Sequence, residues 1–263
     1  MCTALISVDP ASRVPVLLIF ARDEMADRTW LPPARRWPRY PSLVGGMDSR
    51  EGGTWLAVRP GADTDPRAVC LLNGFGTLAD PVRRVTRGQL PLLAAFGASL
   101  DELDLTRYDP FHLLVADETR VSMLTWDGST PARRELSPGT HLVSNRGLEV
   151  EDPHLPTATD RAVTLIEARI KHFRPLLQST PRPEPSPGVG DTEQAWAGWM
   201  RLADGDGLDT NDVRALIGKH DWGEGGVWLT SSVSLIAIGR GGVRYDFRPA
   251  PEADVWSEVD TAR

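Results

Sequence analysis

The second residue of the chain is a cysteine, Cys2, directly after Met1. An initiator methionine is removable where the next side chain is small, and cysteine qualifies. The mature chain would then begin with a residue carrying both a thiol and a free α-amino group. The ordinary pKa values are about 7.7–8.0 for the amine and about 8.5 for the thiol. Such an amine can take the thiol proton and later return it to a leaving amine, so one residue supplies nucleophile and base. No histidine is required, and none of His112, His141, His154, His172 and His220 stands near the charged run Arg22-Asp23-Glu24 in sequence. Chemistry at Cys2 competes with a plainer role, because a cysteine early in an apolar strand is usually a small hydrophobe. Cys70, within Ala-Val-Cys-Leu-Leu, reads as a buried structural thiol.

Around these residues the chain divides into short elements. Thr3–Val8 and Val14–Ala21 read as a hairpin of buried strands, with Arg22-Asp23-Glu24 ending the second strand. Residues 25–42 read as a loop rich in Arg, Pro and Trp; its Trp30 and Trp37 are expected at a pocket mouth. Thr54–Val58 and Ala68–Leu72 form another strand pair. A helix over Arg87–Phe96 has Thr86 as its N-cap, and a second helix at Ser99 is suggested by Glu102 three residues on. Strands are expected at Phe111–Ala116, Val121–Trp126, Arg133–Leu136 and Thr140–Ser144, then an amphipathic helix over Asp160–Phe173. After a Pro-rich connection at 178–190 come helices at Thr192–Leu202 and Asn211–Ile217. Strands at Gly226–Leu229, Ser232–Ile238 and Gly242–Phe247 follow, then a loose tail after Pro249. Strict βαβ alternation is missing, so segregated layers, helices outside antiparallel sheets, fit better than a parallel sheet. One α+β domain over 1–263 is expected.

Composition narrows the function classes. Against 29 Lys+Arg stand 36 Asp+Glu, a formal net charge of −7, which argues against a nucleic-acid partner. No apolar run reaches the length of a membrane span, and no secretory signal pattern is present, so the cytoplasm is the default location. Two cysteines exclude a disulfide scaffold and a four-cysteine zinc site. Asp204-Gly205-Asp206-Gly207 is superficially like a calcium loop, but Leu208 and Asp209 stand where ligand and glycine are needed. No metal or cofactor is expected.

Cys2, the Ala21–Glu24 tetrad, Gly46–Asp48 and Gly52–Trp55 stand in an order that resembles the NRDE family, the transport-and-Golgi-organisation proteins related to N-terminal-nucleophile hydrolases. Leu72-Asn73, Arg87-Gly88 and Val143-Ser144-Asn145 are similar to further elements of that family. The likeness covers roughly residues 1–175, with departures at Ala21, where the family has Asn, and at Met25 and Leu235, where related amidases carry Asp and Arg. It implies a four-layer αββα sandwich of two antiparallel sheets flanked by helices. It also implies catalytic roles for Cys2, for Arg22 favouring the thiolate and for Asp23 orienting the amine. Asn73 and Asn145 would donate to an oxyanion, and Trp30, Trp37 and Asp48 would contact substrate. The expected activity is hydrolysis of a non-peptide C–N bond in a small-molecule amide. The alternative on the same scaffold is a non-catalytic protein handling haem or an acylated, lipid-like ligand.

Overall fold

The computed structural model describes residues 2–61, 64–148, 160–251 and 255–261. One sheet of eight strands is built around β1 (Thr3–Val8), β2 (Val16–Met25), β13 (Val227–Gly239) and β14 (Gly242–Pro249). β10 (Gly139–Ser144) and β11 (Gly147–Leu148) extend it beyond β1, β15 (Ser257–Glu258) beyond β14, and β12 (Lys219–Asp221) pairs the start of β13. The second sheet runs in chain order through β3 (Trp30–Ala34), β4 (Val44–Asp48), β5 (Leu56–Arg59), β6 (Arg67–Asn73), β7 (Phe111–Asp117), β8 (Val121–Trp126) and β9 (Pro131–Glu135). All these pairings are antiparallel.

Strand periodicity sorts the apolar side chains into three layers of core. Ala4, Ile6, Leu18 and Phe20 point between the sheets and meet Leu56, Cys70, Leu72 and Leu114 of the second one. Their neighbours Leu5, Leu17, Ile19 and Leu235 point the other way, under α2 (Asp160–Ser179), α3 (Thr192–Trp196) and α4 (Trp199–Ala203). On the far side, Ala57, Val69, Leu71 and Leu113 are covered by α1 (Leu90–Phe96). The result is the expected αββα sandwich. It also explains the apolar runs Ala4–Ile6 of β1 and Val16–Ala21 of β2: strands covered on both faces have no polar side to alternate with.

Several expectations need correction. β2 continues through Arg22, Asp23 and Glu24 to Met25. Arg22 and Asp23 stay in the ladder with β13 because each charge finds partners there or on a helix. The Arg/Pro/Trp loop contains an edge strand, β3, irregular in register at Pro32-Pro33, as edge prolines require. The expected helix at Arg87 starts as a 3₁₀ turn over Arg87–Gln89, with the Thr86 hydroxyl accepting from the Gly88 N–H. No helix forms at Ser99, whose hydroxyl accepts instead from Asp101 N–H, and Asn211–Ile217 is a series of turns. Thr192–Leu202 breaks into α3 and α4 at Ala197, which has φ 45°. The two expected strands at 226–238 are one strand, β13, bulged at Ser231. The segment after Pro249, expected as a loose tail, pairs with β14 through Ser257 and Glu258, and Val259 N–H donates to Tyr245 O. No described helix is long and apolar enough to cross a membrane.

Candidate functional site

Cys2 precedes β1, and Thr3 faces Ala21 across the ladder, so Cys2 lies beside the charged end of β2. The Cys2 thiol donates weakly to the Asp23 backbone carbonyl at 3.6 Å. Burial pushes this thiol up. The positive amino terminus and Arg22 pull it down and Asp23 adds to the rise, with a net upward shift. The resting thiol is therefore held protonated.

Asp23 is buried and fully engaged. Its carboxylate accepts from the Thr230 hydroxyl of β13 at 2.6 Å and lies 3.1 Å from an Arg169 Nη of α2. That Arg169 nitrogen also donates to the Thr3 hydroxyl at 2.8 Å, and Arg169 Nε to Ala215 O at 2.8 Å. Burial alone would raise the Asp23 pKa. The amino-terminal charge, Arg169 and the Thr230 bond outweigh it and hold the carboxyl below its usual range.

Arg22 points to the opposite face. Its guanidinium lies 4.0 Å from the centroid of the Trp55 ring, donates to Ser231 Oγ at 2.9 Å, and sits 3.4 Å from Glu24 and 3.6 Å from Asp48. Asp48 is also gripped by Arg28 through a fork of 2.6 and 3.1 Å, and accepts the N–H groups of Arg50 and Glu51. Gly53 closes this side, since a Cβ there would stand 2.7 Å from Gly88 Cα. That contact lets the Arg87–Gln89 turn lean on the strand end, with Thr54 N–H donating to Gly88 O at 2.9 Å.

These groups line a cleft of two lobes that share Asp23, Asn73 and Trp228. A polar lobe of about 280 Å³ holds Cys2, Arg22, Arg28, Asp48 and Arg87. An apolar lobe of about 370 Å³ is walled by Phe75, Trp222, Trp228 and Leu229, with Asn145 and His220 at its edge. The Asn73 side-chain amide makes no hydrogen bond among the described residues. Asn145 Nδ2 donates to Asn73 O at 2.9 Å, while its Oδ1 is buried without a partner.

Among the sequence-identified residues, Cys2, Arg22, Asp23, Asp48, Asn73 and Asn145 all line this cleft. Trp30 and Trp37 do not. Trp30 packs edge-on against Trp55 and Phe247 at 5.7 and 5.9 Å, and Trp37 donates to Gly52 O at 2.8 Å within the core under α1. Large aromatics amid prolines here fill the sandwich edge, and the cleft's aromatic walls come from Trp55, Trp222 and Trp228. Leu235 belongs to the core beneath the helices. The cation facing Asp23 is Arg169, which the sequence signals only as a charge within the buried stripe of α2. His220, remote in sequence from Asp23, lines the same lobe, and burial followed by Arg169 pushes its pKa down.

His112 of β7 supports Asn145 from behind, its Nε2 3.2 Å from Asn145 O and its Nδ1 2.9 Å from the Thr125 hydroxyl. Because the carbonyl can only accept, Nε2 carries the proton and Nδ1 accepts from Thr125. Burial lowers His112 to about 4, so the ring is neutral at neutral pH.

A comparison with curated proteins finds no match. A family model described as Transport and Golgi organisation 2 matches residues 1–180, a span from Cys2 to the end of α2 that includes Asn73 and Asn145. The chain therefore belongs to the Transport and Golgi organisation 2 family.

Proposed function

We propose that the protein is a cysteine N-terminal-nucleophile amidohydrolase that cleaves a non-peptide C–N bond of a small-molecule amide after removal of Met1. The observation that carries this reading is Cys2 lining a cleft beside Arg22, the buried carboxylate of Asp23 and the unbonded amide of Asn73. The freed α-amine takes the thiol proton, and the sulfur attacks the carbonyl carbon. Asp23, held ionised by Arg169 and Thr230, orients the resulting ammonium and favours it by charge. Arg22 opposes the cost of a buried thiolate. Asn73 donates to the oxyanion, a contribution of about 2.7–4 kcal/mol in comparable sites. The C–N bond breaks as the leaving amine takes the proton from the ammonium, leaving a thioester on Cys2. Water, deprotonated by the same amine, attacks the thioester; the acid leaves and the thiol is restored.

Mass spectrometry of the native protein is the first test: a retained Met1 ends this reading. The second is turnover of an amide panel, expected to vanish in Cys2→Ala. Activity that persists in Cys2→Ala ends it equally.

A second reading is a non-catalytic carrier of acylated, lipid-like molecules. It is favoured by the apolar lobe and by the upward-shifted thiol. It requires ligand affinity unchanged in Cys2→Ala and no turnover by the native chain.

A further inference from the structure

The polar lobe holds three arginines, and two are already committed. Arg28 forks onto Asp48. Arg22 lies on Trp55 and meets Ser231, Glu24 and Asp48. Arg87 differs. Its Nη1 donates to Pro110 O at 2.6 Å, and no carboxylate of the described residues lies within ion-pair distance. None of its nitrogens is buried without a partner, so the donors not bonded to Pro110 keep solvent exposure, and the residue lines the polar lobe.

The acids nearby are occupied or peripheral. Glu24 accepts from Met25 N–H and faces Arg22. Asp48 holds Arg28 and two backbone N–H groups. Asp109 is paired with Arg84 at 3.2 Å, and Glu51 stands exposed at the rim. Arg87 is half-buried on a turn fixed by the Thr86 cap and the Gly53–Gly88 contact. A partly desolvated, pre-positioned guanidinium with spare donors is suited to a charge-assisted, forked bond to an anion. Across the shared residues Asn73 and Trp228 lies the apolar lobe.

We infer that Arg87 is a specificity-determining residue that receives the carboxylate of an amphipathic amide whose apolar half fills the lobe walled by Phe75 and Trp222. Placing the amide at Cys2 rests on the hydrolase reading; the preference for an anion does not.

The test separates the two. Full-length Cys2→Ala protein, which cannot turn substrate over, is titrated calorimetrically with N-decanoylglycine and with its neutral analogue N-decanoylglycinamide. The acid is expected to bind about 10–100-fold more tightly, the usual range for a hydrogen bond to a charged group. Adding Arg87→Met should bring the ratio close to one, while Arg87→Lys should keep part of it. Circular dichroism confirms folding, and if Arg87→Met fails to fold, Arg87→Gln replaces it with the same expected loss. Equal affinity for the two probes, including none for either, overturns the inference, as does a preference that survives the loss of Arg87. If the preference holds but the native chain hydrolyses neither probe, the anion site stands and the hydrolase reading alone falls.

Discussion

The side-chain amide of Asn145, after β10, donates to the backbone carbonyl of Asn73, at the end of β6, at 2.9 Å. This contact joins the two sheets at the cleft. His112 adds a second link, from β7 to the Asn145 carbonyl. Asn145 is thus held by structure, whereas the Asn73 side chain is left to the cleft.

The two asparagines should therefore fail differently. Asn73→Ala is expected to change stability by less than about 0.5 kcal/mol and to lower kcat by about 10²–10³-fold. Asn145→Ala should cost about 1 kcal/mol, because it removes an inter-sheet bond. Urea unfolding with steady-state kinetics checks both; a stability loss for Asn73→Ala equal to that of Asn145→Ala would contradict the division.

His112 gives the fold a pH dependence of known sign. Its folded pKa of about 4 lies below the ordinary value of 6.5, so the unfolded chain binds the proton more readily. Stability is expected to fall by about 3 kcal/mol as pH drops from roughly 6.5 to 4, and not to change further through this group below that. His112→Gln should flatten the slope in that window. The depressed pKa of Asp23 acts at lower pH, where its stabilising charge is lost only as pH falls through the folded value. Urea midpoints between pH 4 and 7 for both proteins measure the effect.

Thiol labelling tests the resting state of the nucleophile. Burial holds Cys2 above the ordinary thiol range, so iodoacetamide should react slowly at pH 7 and faster as pH rises past about 8.5. Cys70 is also pushed up by burial between the sheets and should stay unlabelled until the protein unfolds. A Cys2 rate already at its plateau at pH 7, followed by mass spectrometry, would show an activated thiolate instead.

Gly53→Ala probes the wall of the polar lobe. The new methyl would stand 2.7 Å from Gly88 Cα, so backbone must shift. A loss of about 1–3 kcal/mol is expected, as for overpacking, with a rise in KM because the turn bearing Arg87 is displaced. Gly52→Ala carries a different strain, from its φ of 69°, and meets nothing within 4 Å. It should destabilise the turn without that change in KM, which thermal melts and kinetics distinguish.

The segregated layers were legible because strict βαβ alternation is missing, and the four-layer order because the family resemblance implies it. Cys2, Arg22, Asp23 and Asn73 were legible as a group through family order, not through spacing. Arg87 was legible only within the Arg87-Gly88 family element, with no role attached to it, and Arg169 was not legible. Arg169 meets Asp23 from a helix 146 residues away in sequence, and only its place in an apolar stripe marks it. Trp30 and Trp37 misled because a tryptophan among prolines looks the same whether it seals a core edge or lines a ligand cleft. The helix expected at Asn211 failed because Asp209 and Asp212 bond their own following N–H groups and form turns instead.

Ser231 is one residue more than the β2–β13 ladder needs, inserted between Thr230, opposite Asp23, and Ser232, opposite Arg22. Beyond it, Ile236 and Ile238 face the inter-sheet core while Leu235 and Ala237 face the helices. Removing the extra residue would leave these pairs and faces as they are, whereas closing the ladder with Ser231 kept in it would slip the strand by one residue and turn that whole run inside out. The extra residue is a change of phase: Thr230 bonds the Asp23 carboxylate on one face, and Ile236, an even number of residues on, faces the inter-sheet core on the other.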